Sequence, residues 1–360
     1  MVKLFIVLAL FAMSGYSLAE NFKVIDACGR EVNVPDKIKR ISAVGPGSSA
    51  LTEYADYSKQ LVTQDILPSM GKVHKYCSCI YPEGYDRMPP VFRSFYNFTP
   101  DYSSINTANP DIVLVSGLNE KQVEKLAQAV RAPVAAMNCS ETGYLHFESI
   151  LQSIRLTGYI LNEQKNMQDI MNFMAKTRKE LIERTKDAPK KRLFILSQQY
   201  KPSKASYTVE KCYTYLRMLN HMSTGSDLRA TQPYSEITLN ELVAAQPEYF
   251  FVEYTMLDKL KQDYAANKAL FRHIPAIKNN RVYTILPYNR YAAHYENLYI
   301  NAYYIGSIMF PVIFRSIDMR YTADSISEEF TGNDIYGKMY DTTPVFKQIL
   351  FSEKGLSIVK

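Results

Sequence analysis

The chain has 360 residues, 47% of them apolar and 22% charged, a composition that excludes intrinsic disorder and leaves room for two domains. Its formal net charge is +6, with no Lys/Arg block and no zinc-finger or RNA-binding signature, which argues against a nucleic-acid partner. A mild basic excess is compatible with a small anionic ligand.

Residues Met1 to Ala19 read as an export signal. Lys3 supplies the positive start, Leu4 to Met13 an apolar core too short to span a bilayer, and Ser17 and Ala19 the small residues of a cleavage site. Cleavage near Ala19 is expected to leave Glu20 as the first residue of an exported chain. No Cys lies near the cut, so no lipid anchor is expected. The mature chain holds Cys28, Cys77, Cys79, Cys139 and Cys212, an odd number that leaves at least one thiol unpaired in an oxidising compartment. Their connectivity is open, although Cys77 and Cys79 are too close for an easy mutual bridge.

Alternating apolar residues around Cys28-Gly29-Arg30 predict a hairpin over Phe22 to Pro35. A buried strand follows at Ile41 to Val44, then the loop Gly45 to Ser49 and a helix over Leu51 to Tyr57. Gly71 to Thr99 is long and irregular, the kind of loop that is usually functional or mobile. A second buried strand, Ile112 to Val115, runs into Ser116 to Asn119. A helical pattern covers Glu120 to Arg131, and the first lobe closes near Cys139. Phe147 to Leu161 forms a helix that leads into the longest one, Asn162 to Asp187. Apolar residues at Met167, Ile170, Met171, Met174, Leu181 and Ile182 give this stretch helical spacing, and Asn162 is its expected N-cap. Such a helix is roughly 36 Å long and reads as a rigid strut.

Beyond the strut come a strand at Leu193 to Leu196, the polar and aromatic loop Ser197 to Tyr207 and a helix over Cys212 to Leu219. A helix over Leu239 to Ala245, a helical pattern over Asp258 to Ala269 and a strand over Val282 to Leu286 follow. The loop Pro287 to Tyr295 precedes an apolar helix, Leu298 to Met309, and Asp318 to Gly332 lie near the end.

The two sides of the strut repeat one another. Lys39-Arg40 precede ISAVGPG and Lys191-Arg192 precede LFILSQQ. NPDIVLVSG at Asn109 matches QPEYFFVEY at Gln246, and APVAAM at Ala132 matches RVYTIL at Arg281. Short apolar strands separated by helical patterns argue for parallel α/β units. The expected fold is therefore α/β, with two parallel-sheet lobes of duplicated topology joined by one long rigid helix. The expected divisions are 1–19 signal, 20–145 first lobe, 146–189 connecting helices and 190–360 second lobe and tail.

Ligands of open parallel sheets bind beyond the carboxyl ends of strands, and clefts between domains are favoured sites. The candidate ligand-binding residues are Gly47, Ser48, Ser49, Tyr76, Arg93 and Tyr96 before the strut, and Tyr200, Tyr207, Tyr288, Arg290, Tyr291 and His294 after it. Tyrosine offers a flat face with a hydroxyl, and arginine a planar fork for oxyanions. The Gly45 to Ser49 loop lacks the lysine of a Walker loop but can present amides to an oxyanion. No dinucleotide or nucleophile-elbow motif appears. His74, Cys77 and Cys79 have metal-ligand types without a matching second half. His294 near Glu296 reads either as an acid–base pair or metal ligand, or as a histidine bonded to a backbone carbonyl.

Taken in order, GREVNVP, KRI-strand-GPG, NPDIVLVSG, the mid-chain helix, PEYFFVE and NNRVYTI resemble the periplasmic binding proteins that deliver ferric siderophores, haem or cobalamin to ABC importers. LPYNRYAAHYENLYINAYYIGSIMFPVIF resembles an iron-compound branch, a relative of which carries molybdate or tungstate. The resemblance implies a monomeric carrier in the periplasm rather than an enzyme, with no cofactor of its own. Its partners would be a metal chelate or an oxyanion and the permease of an importer. A secreted two-lobed enzyme is the alternative of another class. Family members place a Glu on each lobe to meet the permease; the corresponding positions here are Ser103 and Asn240, with Asp101 and Glu241 close by.

Overall fold

The computed structural model describes residues 22–45, 47–65, 83–94, 99–139, 147–196, 207–210, 234–287 and 294–359. Strands β1 (Phe22–Ile25) and β2 (Glu31–Val34) form the expected antiparallel hairpin, with Val24, Val32 and Val34 turned into the core. Gly29 adopts φ 77° in its turn, a conformation that glycine reaches without strain. Asp26, buried, organises that turn. Its carboxylate accepts the amides of Cys28, Arg30 and Ala136 and pairs with the Arg30 guanidinium. Cys28 is disulfide-bonded to Cys139, which tethers the hairpin to the far end of the first lobe.

Two parallel sheets follow, each three-stranded among the described residues. In the first, β6 (Ile112–Val115) lies between β3 (Ile41–Val44) and β7 (Val134–Ala136). In the second, β11 (Tyr249–Glu253) lies between β8 (Leu193–Leu196) and β12 (Val282–Ile285). These are the segments that the sequence pairs across the strut. Both sheets are buried on both faces, as their unbroken apolar runs require.

The repeated dipeptides have a physical reason. Asn109 and Gln246 both take left-handed backbone at φ 47°, ending the seven-residue helices α2 (Tyr102–Ala108) and α6 (Leu239–Ala245). The acid that follows each proline then clamps the chain ahead of the first strand. Asp111 accepts the amides of Lys39 and Arg40, at 2.7 and 2.9 Å, and Glu248 accepts that of Arg192 at 2.9 Å. Arg40 and Arg192 in turn donate to the carbonyls of Asn109 and Gln246. The same device, a carboxylate on the entering amide and an arginine returning to the helix-end carbonyl, starts each sheet.

The connection consists of two helices, α4 (Phe147–Ile160) and the 22-residue α5 (Gln164–Thr185), about 33 Å long. Asn162 is not the N-cap of the long helix. It adopts φ 59°, ending the turn between the two, and Glu163 takes the cap position. A left-handed residue with a short polar side chain is a helix-stop signal as readily as a start signal. α4 and α5 pack so closely at Gly158 that any side chain there would press on Met167. Met167, Ile170, Met171, Met174 and Leu181 are buried, as the spacing predicts, and Ile182 is half-buried.

Four further differences concern boundaries. Helix α1 spans Ser48–Tyr54, three residues ahead of expectation, because Asp56 turns left-handed at φ 58°. α3 spans Glu120–Ala129, and α7 spans Leu257–Phe271, followed by the short α8 (Pro275–Lys278). Helix α9 begins at Glu296 and runs to Met309. The expected helix over Cys212 to Leu219 lies outside the described residues. The C-terminal region adds α10 (Met319–Thr331), α11 (Ile335–Thr342) and the hairpin β13 (Ile349–Ser352) and β14 (Gly355–Ile358). The chain leading into that hairpin covers the β12 edge, with Thr284 N–H donating to the Lys347 carbonyl at 2.9 Å. One apolar cluster runs from β3 and α1 through α5 to α9, α10 and β11, so the lobes and the strut share a core.

Candidate functional site

The carboxyl end of β3 opens into a loop that only glycine permits. Gly45 sits at φ 97° against the backbone of Ser116, where a Cβ would overlap the Ser116 carbonyl oxygen. Gly47, at φ 85°, starts α1. Ser48 and Ser49 are buried, and their hydroxyls turn inward. Ser48 donates to the Val44 carbonyl at 2.8 Å, and the Ser49 hydroxyl lies 3.0 Å from that of Tyr85. Tyr85 donates to Asp65 at 2.6 Å and accepts the Asp65 amide at 3.1 Å. Burial pushes the Asp65 carboxyl up to about 6; hydrogen bonding from Tyr85 and Ser49, and the nearby His294, keep it from rising further.

The second lobe meets α1 through Tyr54, next to His294. Its imidazole is buried, with Nδ1 3.1 Å from a carboxylate oxygen of Glu296. The other oxygen of Glu296 accepts the hydroxyl of Tyr54, at the end of α1, and that hydroxyl accepts the Tyr295 amide at 2.8 Å. Glu53 stands beside them, its pKa raised by burial and by the charges of Asp56 and Glu296. Asn297 and Asn301, buried on the next turns of α9, hold the end of β12: Asn297 donates to Pro287, and Asn301 both donates to Leu286 and accepts from it. The ring of Tyr54 packs on Phe330 of α10 at 5.2 Å, and its carbonyl accepts the Asn166 amide of the strut. The junction therefore ties together both lobes and the helix between them.

Of the residues expected at the ligand, Gly47, Ser48, Ser49 and His294 are brought to this junction. Arg93 lies in β4 (Phe92–Ser94), which pairs with β5 (Thr99–Pro100), and Tyr207 lies in β9 (Tyr207–Glu210), which pairs with β10 (Tyr234–Ile237). The side chains of Arg93 and Tyr207 are not among those described. Tyr76, Tyr96, Tyr200, Tyr288, Arg290 and Tyr291, with the His74, Cys77 and Cys79 cluster, lie outside the described residues. Sequence reasoning missed Glu53, Tyr54, Asp65 and Tyr85. The one signal for them is local: Glu53-Tyr54 closes a helix that otherwise carries small or apolar side chains.

The two positions at which the resemblance implies docking glutamates are both exposed. Ser103 lies on α2 and Asn240 on α6. Neighbouring acids are engaged in starting those helices. Asp101 accepts the amides of Ser103 and Ser104, and Glu241 forms a capping box with Thr238.

Among the described residues no group of three His, Cys, Asp or Glu side chains is arranged to hold a metal ion, and no helix is long and apolar enough to cross a membrane. The polar groups at the junction are hydroxyls, carboxylates and one imidazole, all of them buried.

The periplasmic binding protein family model matches residues 83–288. Among solved structures, MolA of Haemophilus influenzae bound to molybdate superposes with a TM-score of 0.70 at 16% identity, over 87% of this chain and 98% of that one. A periplasmic solute-binding protein of Veillonella parvula gives 0.67 at 18% identity, over 86% and 93%. CeuE of Helicobacter pylori with bound Ni(II) gives 0.67 at 16%, over 88% and 99%. No curated protein matches significantly.

Proposed function

The chain belongs to the periplasmic binding protein family, and from that premise we propose that it captures a metal chelate, such as a ferric siderophore, between its lobes and delivers it to an ABC importer. It is a solute-binding component of transport and not an enzyme. The observation that carries the ligand class is the chemistry of the junction. Asp65, Glu53, Glu296 and His294 lie near one another beside α1, Asp65 on Ser49, and the Ser48 and Ser49 hydroxyls are already engaged. A bare oxyanion would meet carboxylates there. A chelate, with a metal core and a bulky outer shell, tolerates them and offers surface to tyrosines.

In this reading Tyr76, Tyr96, Tyr200, Tyr207, Tyr288 and Tyr291 supply faces and hydroxyls, and Arg93 and Arg290 supply charge to the chelate's oxygens. Residues 1–19 are the export signal, with 20–145 and 190–360 as lobes and 146–189 as their connection. The carrier works as a monomer and meets its permease through neighbours of Ser103 and Asn240, since neither is acidic. The similarity to MolA favours a second reading, an oxyanion such as molybdate. Haem and cobalamin are further members of the chelate class.

Native mass spectrometry of the protein purified from its own periplasm identifies the ligand directly. Tyrosine fluorescence then follows titration, since the chain has 28 Tyr and no Trp. Saturable binding of ferric chelates, weakened about ten- to a hundredfold by Arg93→Ala or Arg290→Ala, is expected. Saturation by molybdate and none by chelates would replace the first reading with the second.

A further inference from the structure

A groove on the outer side of the first lobe, away from the ligand junction, has the features of a strand-docking site. Its cavity, of about 520 Å³, is lined by five consecutive residues, Lys23 to Ala27, and by Met137 with Arg155, Leu156 and Tyr159 of α4. Consecutive residues of a strand point to alternate faces, so a groove lined by all five runs along the edge of β1. The register shows what that edge offers. Asp26 and Arg30 are partners, and the Asp26 amide donates to the Arg30 carbonyl at 2.9 Å. The pairs Val24–Val32 and Phe22–Val34 are therefore the hydrogen-bonded ones, and Lys23 and Ile25 direct their N–H and C=O away from β2. Ala27, the next residue facing outward, already uses its amide on the Ala136 carbonyl at 2.8 Å. The edge is competent to pair, and that bond closes one end of the groove.

We propose that the β1 edge docks an extended, acidic segment of a partner protein, which adds as a third strand to the β1–β2 hairpin. Backbone groups on Lys23 and Ile25 repeat about every 6.7 Å, a spacing that an extended polypeptide matches. The charge of the segment follows from the cations present. Lys23 is taken by Glu31 at 2.7 Å, whereas Arg155 forms no ion pair among the described residues and lines the groove. Ile25 and Tyr159, 63% and 52% exposed, stand at the groove and would cover apolar side chains between the acidic ones. A bare edge with exposed apolar groups is otherwise a liability that proteins avoid.

The test is a titration of the whole protein with a capped hexapeptide of alternating valine and glutamate. Saturable binding is expected, at least tenfold weaker for the valine–lysine analogue, for Arg155→Glu, and for Ile25→Pro. The proline removes an N–H that β2 does not use, so the hairpin is retained. A glutamate peptide N-methylated at alternate amides makes the same test on the unaltered protein and is expected to lose at least tenfold. Equal binding of the methylated and unmethylated peptides, or no saturation, overturns the proposal. So does a dimer in sedimentation that Ile25→Pro dissolves, since a second copy would then be the occupant.

Discussion

The hydroxyl of Tyr54, in the first lobe, donates to the Glu296 carboxylate at the entry of α9 in the second, 242 positions along the chain. The same oxygen accepts the Tyr295 amide at 2.8 Å. One phenol thus serves a buried carboxylate and a buried amide of the other lobe. Its own pKa is pushed well above the usual tyrosine value, first by burial and then by the Glu296 charge, so it stays a neutral donor at any physiological pH.

Replacing Tyr54 by Phe keeps the ring that packs on Phe330 and removes only the hydroxyl. It leaves Glu296 and the Tyr295 amide buried with one partner fewer each. A loss of about 2–3 kcal/mol in urea unfolding is expected. A loss below about 0.5 kcal/mol would mean that the two lobes do not depend on this contact.

Asp65 gives the junction a pH dependence of defined sign. Its pKa is raised in the fold from the ordinary carboxyl value of 3.8 to about 6. Protonation therefore favours the folded state. The contribution is fully present below 3.8 and is lost as pH rises through about 6. Asn cannot ionise, so Asp65→Asn should gain stability relative to wild type between those limits, by up to about 3 kcal/mol, and hold the gain at higher pH. Glu53 shifts in the same direction, but it is present in both proteins and cancels in the difference. Parallel stability curves for the two proteins from pH 4 to 7 would refute the assignment to Asp65.

The Cys28–Cys139 bridge closes a loop across 111 positions. A loop of that length loses much chain entropy when cross-linked, so Cys28→Ser with Cys139→Ser should destabilise the protein by about 2–4 kcal/mol. Ligand affinity at temperatures well below the melting point should change little, because the bridge holds the hairpin and not the junction. Guanidinium unfolding and a ligand titration on the same variant separate the two effects.

Gly45 is the position where the first sheet tolerates least. Alanine would set a Cβ on the Ser116 carbonyl and demand a φ near 97° of a residue that disfavours it. We expect Gly45→Ala to cost about 3 kcal/mol or more, from strain and overpacking together. Gly29→Ala, with open space around its Cβ, is the control; it carries only the backbone term and should cost roughly 1 kcal/mol. Thermal melts that rank the two variants the other way would show that the strand ends are free to separate.

Much of the architecture is written in local pattern. The buried strands, the long helix and the duplication are legible because each rests on residues near one another in the chain. A run such as IVLV is buried on both faces wherever it folds. In the same way, an X-Pro-acid turn after a short helix positions its carboxylate on the amides that enter the first strand. Helix ends were less legible, because Asp56 and Asn162 take left-handed backbone that their residue types permit but do not demand. The C-terminal hairpin escaped notice for a related reason: β13 and β14 are short, and much of their burial comes from packing on α7.

The sequence by itself determined the two α/β halves, the helix between them and the segments beyond strand ends that carry Ser48, Ser49 and His294. Only the tertiary structure decided that Tyr54 meets Glu296, that Tyr85 meets Asp65 and Ser49, and that Cys28 takes Cys139 among the possible partners. Periodicity records which face of an element is buried. It carries no record of which distant face lies opposite. Partner choice across 111 or 242 positions is set by how the helices and sheets close on a shared core, where each buried polar group must find a donor or acceptor within bonding distance.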